Sequence, residues 1–168
     1  MKERLGLVFF TFATVFAFLA AWASEEPSIL AWLAVLHNAV LTAIYTRRRP
    51  ARSYDRIGLW LGLLAAILPL AASYPHQSSW PMVGIGLVGY GWVLWSLFTL
   101  GSRFGIAPAD RGLVTTGPYR LVRHPMYLGE LLLRASLVTS SPQTGLAIVL
   151  LVILATIQVV RALREERI

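Results

Sequence analysis

The sequence predicts an all-α membrane protein, a polytopic bundle of about five to six transmembrane helices whose last two form a hairpin. Three observations carry this. Of 168 residues, 57% are hydrophobic, and the mean hydropathy is positive. Several apolar runs approach the roughly 20 residues that cross about 30 Å of hydrocarbon. The cations gather between those runs rather than along one face, so the net charge of +7 marks topology, and no nucleic-acid partner is expected. With no cysteine, disulfides, thiolate nucleophiles and cysteine-based metal sites drop out. The three histidines are scattered, so no metal site is expected either.

The chain is read as one membrane-embedded domain, 1–168, beginning with an apolar run over 5–23. Its start resembles a secretory signal, and Ala21-Trp22-Ala23 mimics a cleavage site. A second apolar run, 28–46, follows after only a short turn at 24–27, which predicts a retained helical hairpin rather than a cleaved leader. His37 and Asn38 interrupt this second run, either to hydrogen-bond neighbouring helices or to contact a substrate. Arg47, Arg48, Arg49, Arg52 and Arg56 then form the strongest topological marker in the chain and place this loop on the cytoplasmic side. Attraction to anionic headgroups is a secondary role for the cluster.

The third run, 57–73, contains Pro69, where a kink is expected. The segment 74–81 has interfacial aromatics and no Lys, Arg or acidic charge, as suits an outer loop. In the fourth run, 82–100, Gly84, Gly86, Gly89 and Gly91 crowd the first half. They lack the strand context of a nucleotide-binding motif and predict close helix packing instead. The segment 101–125 leaves the apolar regime and carries Arg103, Asp110, Arg111, Arg120 and Arg123, which return it to the inner side. Two shorter runs complete the chain, 126–140 and 144–160, with a turn between them and a charged tail at 161–168. At about 1.5 Å per residue the first covers only about 22 Å. Six apolar segments put both termini and the 101–125 loop on the cytoplasmic side of an inner membrane or endomembrane.

The densest polar stretch is Gly117-Pro118-Tyr119-Arg120-Leu121-Val122-Arg123-His124-Pro125-Met126-Tyr127-Leu128-Gly129-Glu130. Pro125 fixes φ and suits a first helical turn, so a helix is predicted from there with His124 at or beside its N-cap. The helix end and its flanking Arg120, Arg123 and His124 offer a corner for a carboxylate or phosphate. Glu130 and Arg134, four residues apart and on the face of Tyr127, can pair within the membrane region. They are read either as a self-neutralised structural pair or as groups bordering an acceptor, with Arg134 orienting an acid and Glu130 taking a proton.

Gly117-Pro118-Tyr119 followed by Arg123-His124-Pro125-Met126-Tyr127-Leu128-Gly129, then an apolar hairpin and Glu165-Glu166, resembles the isoprenylcysteine carboxyl methyltransferase-like and phospholipid methyltransferase membrane enzymes. The resemblance covers roughly the C-terminal half. That family usually continues past the glutamates with a further helical stretch, whereas this sequence ends at Arg167-Ile168. The resemblance implies an integral membrane methyltransferase that uses S-adenosylmethionine and acts on a lipidic or hydrophobic acceptor through a carboxylate or amine. It implies a cofactor pocket, read here as Gly117, Tyr119, Leu121, Val122, Arg123, His124, Pro125, Tyr127, Gly129, Glu165 and Glu166; the ring faces of Tyr119 and Tyr127 suit an adenine or sulfonium between them. Glu130 and Arg134 are the catalytic candidates, with His124 a second candidate base for an amine acceptor. A non-catalytic transporter or assembly protein with the same fold is the alternative, although the halves show none of the internal repeats expected of a transporter.

Overall fold

In a computed structural model, the described residues are 2–23, 29–48, 55–68, 79–106, 111–138, 141 and 143–167, without the side chains of 2–5, 30, 31 and 34. Six α-helices account for most of them, with no strand among them: α1 Lys2–Ala23, α2 Ile29–Thr46, α3 Arg56–Ile67, α4 Trp80–Leu100, α5 Pro125–Val138 and α6 Thr144–Glu165. Short 3₁₀ turns occupy Gly101–Arg103 and Gly117–Arg120. The all-α bundle expected from the sequence is what forms. The turn at 24–27, Arg49 and Arg52, the Pro69 kink, the loop residues 74–78, Asp110 and the residues 139, 140 and 142 of the last turn lie outside the described residues.

By length and composition three helical stretches suffice to cross a membrane: Gly6–Ala23, Trp80–Arg103 and Thr144–Glu165. Val35–Thr46 and Arg56–Ile67 are shorter apolar helices. Phe12, Trp22, Trp60, Phe98 and Val152 are exposed on the outside of the bundle, as they are where hydrocarbon is the solvent. In that solvent each polar group needs an internal partner. Thr14, Ser96, Ser136 and Thr156 accordingly donate to carbonyls of their own helices, at Phe10, Trp92, Leu133 and Val152.

The helices pair in ways that small residues permit. α1 lies along α2, where the Thr14 and Thr42 hydroxyls are 3.1 Å apart and Phe18 meets Trp32 edge-on. α4 and α5 approach each other backbone to backbone. A Cβ built on Gly129 would stand 2.9 Å from the Gly89 carbonyl oxygen and 2.8 Å from Val93 Cγ2, and one on Gly89 would stand 2.7 Å from the Leu133 nitrogen. The glycine-rich half of α4 is therefore a packing surface at Gly89, whereas Gly84 and Gly91 face open space. α5 forms a hairpin with α6 and also uses α4 as its floor.

One end of the bundle gathers the start of α1, the end of α2, the start of α3, the end of α4, the start of α5 and the end of α6. Gly6 packs on Tyr45. The Tyr45 hydroxyl accepts from the Ile106 N–H at 3.0 Å, while Arg161 Nη2 donates to the Ile106 carbonyl at 2.8 Å. Gly62 of α3 makes room for Ile106, since a Cβ there would come within 2.6 Å of Ile106 Cγ2. Asp55 caps α3 by accepting from the Ile57 N–H at 3.0 Å, and its carboxylate also takes Arg164 Nε and Nη2 at 2.5 and 2.8 Å. Those Arg164 bonds hold the Asp55 carboxyl at about 2, below its usual 3.8. Phe10, Leu41, Tyr45, Val93, Leu97, Phe104 and Ile106 form the apolar core beneath this end.

Substituting Gly129→Ala should destabilise the protein by about 1–3 kcal/mol, the usual range for overpacking, because the methyl meets a backbone carbonyl. Gly91→Ala, which meets nothing within 4 Å, should not. Thermal unfolding of both variants in the same detergent checks this, and equal midpoints would refute the α4–α5 contact.

Candidate functional site

The loop between α4 and α5 and the end of α6 enclose a cavity of about 770 Å³ at the gathered end of the bundle. Its apolar wall comes from Leu100, Phe104, Leu113, Val114 and Met126, and its polar wall from Arg103, Arg111, Thr115, Tyr119, Arg123, His124, Tyr127, Glu165 and Glu166. The sequence places these groups far apart. Two local features bring them together.

The first is the start of α5 at Pro125, which is fully buried. Proline loses nothing at a first helical position, where its missing N–H has no partner anyway. The His124 carbonyl accepts from the Leu128 N–H at 3.3 Å, which sets His124 at the helix entrance as its N-cap. The second is Gly117 at φ +57°, a left-handed turn that favours glycine. A Cβ there would also lie 2.7 Å from Thr99 Oγ1, so this turn seats the Gly117–Arg120 segment against α4.

The side chains then interlock. The Tyr127 hydroxyl donates to Glu165 Oε1. His124 Nδ1 lies 3.4 Å from Glu165 Oε2, and its Nε2 lies 3.5 Å from Glu166 Oε1 without hydrogen-bond alignment. Arg123 Nη1 donates to Glu166 Oε1 at 3.3 Å. The His124 and Tyr127 rings are stacked, with centroids 5.6 Å apart and planes 6° from parallel, and the Arg161 guanidinium lies 5.1 Å from the Tyr127 centroid. Hydrogen bonding to Glu165 raises the His124 pKa above its usual 6.5, overcoming partial burial, and Glu166 adds to it. Arg123, and then His124, lower that of Glu166. Burial raises the Tyr119 phenol above its usual value, with Glu165 reinforcing the effect.

The predicted site residues separate into two groups. Tyr119, Arg123, His124, Tyr127, Glu165 and Glu166 line the cavity together. Gly117, Leu121, Val122, Pro125, Gly129, Glu130 and Arg134 do not line it. Pro125, Gly117 and Gly129 shape the backbone around the site, and Leu121 is 67% exposed. Arg120 is exposed and away from the cavity wall. Glu130 Oε2 accepts from Gln158 Nε2 at 2.8 Å, and no direct ion pair joins Glu130 to Arg134 among the described residues. The sequence reading passed over Asp55, Arg103, Arg111 and Arg161 as site-forming residues. An aspartate just before an apolar helical run is an N-cap signal, and it marks Asp55. Arg161 sat in what read as a charged tail, yet it is 7% exposed and faces Tyr127.

The profile of the phospholipid methyltransferase family matches residues 80–168, more than half of the chain and all of the cavity. The chain belongs to the phospholipid methyltransferase family. Membership implies a membrane methyltransferase-like function, and the apolar helices make this an integral membrane protein. No curated protein and no solved structure is a significant match.

The raised His124 pKa has a pH consequence. The pairing with Glu165 stabilises the folded protein fully below the ordinary histidine value of about 6.5 and fades as pH rises through the raised value. In NMR titrations of labelled histidine, one resonance should titrate above 6.5 and move down in Glu165→Gln. A His124 resonance at or below 6.5 in the unaltered protein would refute the pairing.

Proposed function

We propose that the cavity binds S-adenosylmethionine and that the protein transfers its methyl group to a lipidic acceptor. The observation that carries this reading is the meeting of His124 and Tyr127 with Glu165 and Glu166, from opposite ends of the final hairpin, on the wall of one cavity. The wall suits such a donor. It offers carboxylates for an ammonium, a sulfonium and ribose hydroxyls, and it has an apolar side in Leu100, Phe104 and Met126 for an adenine. When bound, the donor supplies an electrophilic methyl carbon for in-line displacement.

The residues of the chain hold and orient. Each carboxylate oxygen has two acceptor sites, so Glu165 can keep Tyr127 and His124 while accepting from a ligand. His124, held toward its charged form, fixes the position of both glutamates. Fixing two reactants in attack geometry and excluding water is most of what such a transfer requires of a protein. Leu100, Phe104 and Met126 supply the dry side. Of the two candidate bases, His124 lines the cavity and Glu130 does not; a base role for His124 requires pH above its raised value. Glu130 and Arg134 are read as acceptor-side groups deeper in the bundle. The positive loops support a cytoplasmic position for the cavity end, with the acceptor arriving from the bilayer.

Calorimetry with S-adenosylmethionine and S-adenosylhomocysteine in lipid nanodiscs tests the proposal. The unaltered protein should bind both, and His124→Ala and the double variant Glu165→Gln/Glu166→Gln should each weaken binding about 10- to 100-fold, the scale of hydrogen bonds to charged groups. Thermal unfolding confirms that the variants are folded. No binding at millimolar ligand would sink the reading.

A further inference from the structure

The cavity wall carries several cations. Arg123 and His124 are engaged by Glu166 and Glu165. Arg103 and Arg111 lie elsewhere on the wall, beside Gly105, Gly112 and Leu113. The Arg103 Nε is buried and donates no hydrogen bond, and no carboxylate pairs with Arg103 among the described residues. Arg111 is 8% exposed, an unusual degree of burial for arginine.

Two glycines lie against these arginines. A Cβ on Gly105 would come within 2.8 Å of Arg111 Nη1 and 3.0 Å of its Cζ, so the guanidinium packs flat against bare backbone. Gly112 turns with φ +91°, and its Cβ position lies 3.7 Å from Arg103 Nε. The segment at 103–105 and the segment at 111–112 therefore interlock, each arginine against the other segment's glycine. Guanidiniums at fixed positions, Arg111 buried and Arg103 half-buried, suit planar oxyanions, which they bind in two-pronged fashion.

We propose that Arg103 is the anion-binding corner of this cavity and holds the carboxylate or phosphate of its ligand. This rests on the reading of the cavity as the methyl-transfer site and relocates the anion corner from Arg120, Arg123 and His124. The wall is then bipolar: Glu165 and Glu166 face the cationic part of a ligand, and Arg103 faces its acidic part. Two ligands of such a site bear that chemistry, the amino-acid end of the methyl donor and the phosphate of a phospholipid headgroup.

Two matched pairs of probes separate these sources in nanodiscs of neutral lipid. S-adenosylhomocysteine is compared with 5′-methylthioadenosine, which lacks the amino-acid part, and dihexanoyl phosphatidylethanolamine with dihexanoylglycerol, which lacks the phosphate. The unaltered protein should prefer the acid-bearing member of at least one pair by 10-fold or more, and Arg103→Gln should cut that preference several-fold without weakening the acid-free member. Loss confined to the first pair assigns the corner to the donor carboxylate, and loss confined to the second assigns it to the headgroup phosphate. Preferences unchanged in Arg103→Gln overturn the inference. Equal binding of both members of both pairs by the unaltered protein overturns it as well, without recourse to a variant. If neither nucleoside binds while the phospholipid preference still depends on Arg103, the methyl-donor reading falls and the anion corner stands.

Discussion

A backbone that leaves a helix inside an apolar bundle must find its hydrogen-bond partners elsewhere, and Ile106 finds them on two helices at once. Its N–H goes to Tyr45 of α2 and its carbonyl to Arg161 of α6, while Gly62 of α3 leaves the space it occupies. Burial of an unpaired peptide group is costly, so this double hold is what lets the chain between α4 and α5 return over the bundle end. The cavity follows from it. Its wall at Phe104, Gly105 and Arg111 hangs from Ile106 on one side, and Arg161, which makes the bond, also lies over the Tyr127 ring and within 3.9 Å of Glu165.

The same end of α6 is anchored twice more. Arg164 reaches Asp55 at the start of α3, and Glu165 takes the Tyr127 hydroxyl at the start of α5. Three anchors within little more than one helical turn, at Arg161, Arg164 and Glu165, thus set the direction in which Glu165 and Glu166 emerge. Because Asp55 already caps α3, the carboxylate that ends one helix's orphan donors also positions another helix's terminus. A tail that reads as alternating charge is held as a structural element by partners on two other helices.

Much of this was legible beforehand. The helices follow from apolar length, the start of α5 from Pro125, and the meeting of the loop with the glutamates from the resemblance carried by Arg123 to Gly129 and Glu165-Glu166. Other features were not. The signature stretch looks like one contiguous site, yet only Tyr119, Arg123, His124, Met126 and Tyr127 of it line the cavity: Gly117, Pro125 and Gly129 serve backbone turns and helix contact instead. Spacing of four suggested that Glu130 would pair with Arg134, but a neighbour on α6, Gln158, lies closer in space than in sequence and takes the carboxylate.

The sequence by itself determined the class of protein, the membrane as its solvent and the start of α5, because each depends on composition or on local backbone chemistry. The tertiary structure decided which cations line the cavity and which hold the backbone around it. Arg103 and Arg161 look alike in sequence as topology markers, but a guanidinium's role is set by what surrounds it, and those surroundings come from helices up to 100 positions away. Gly62 and Gly105 make the difference, since the space they leave matters only once the segments have packed.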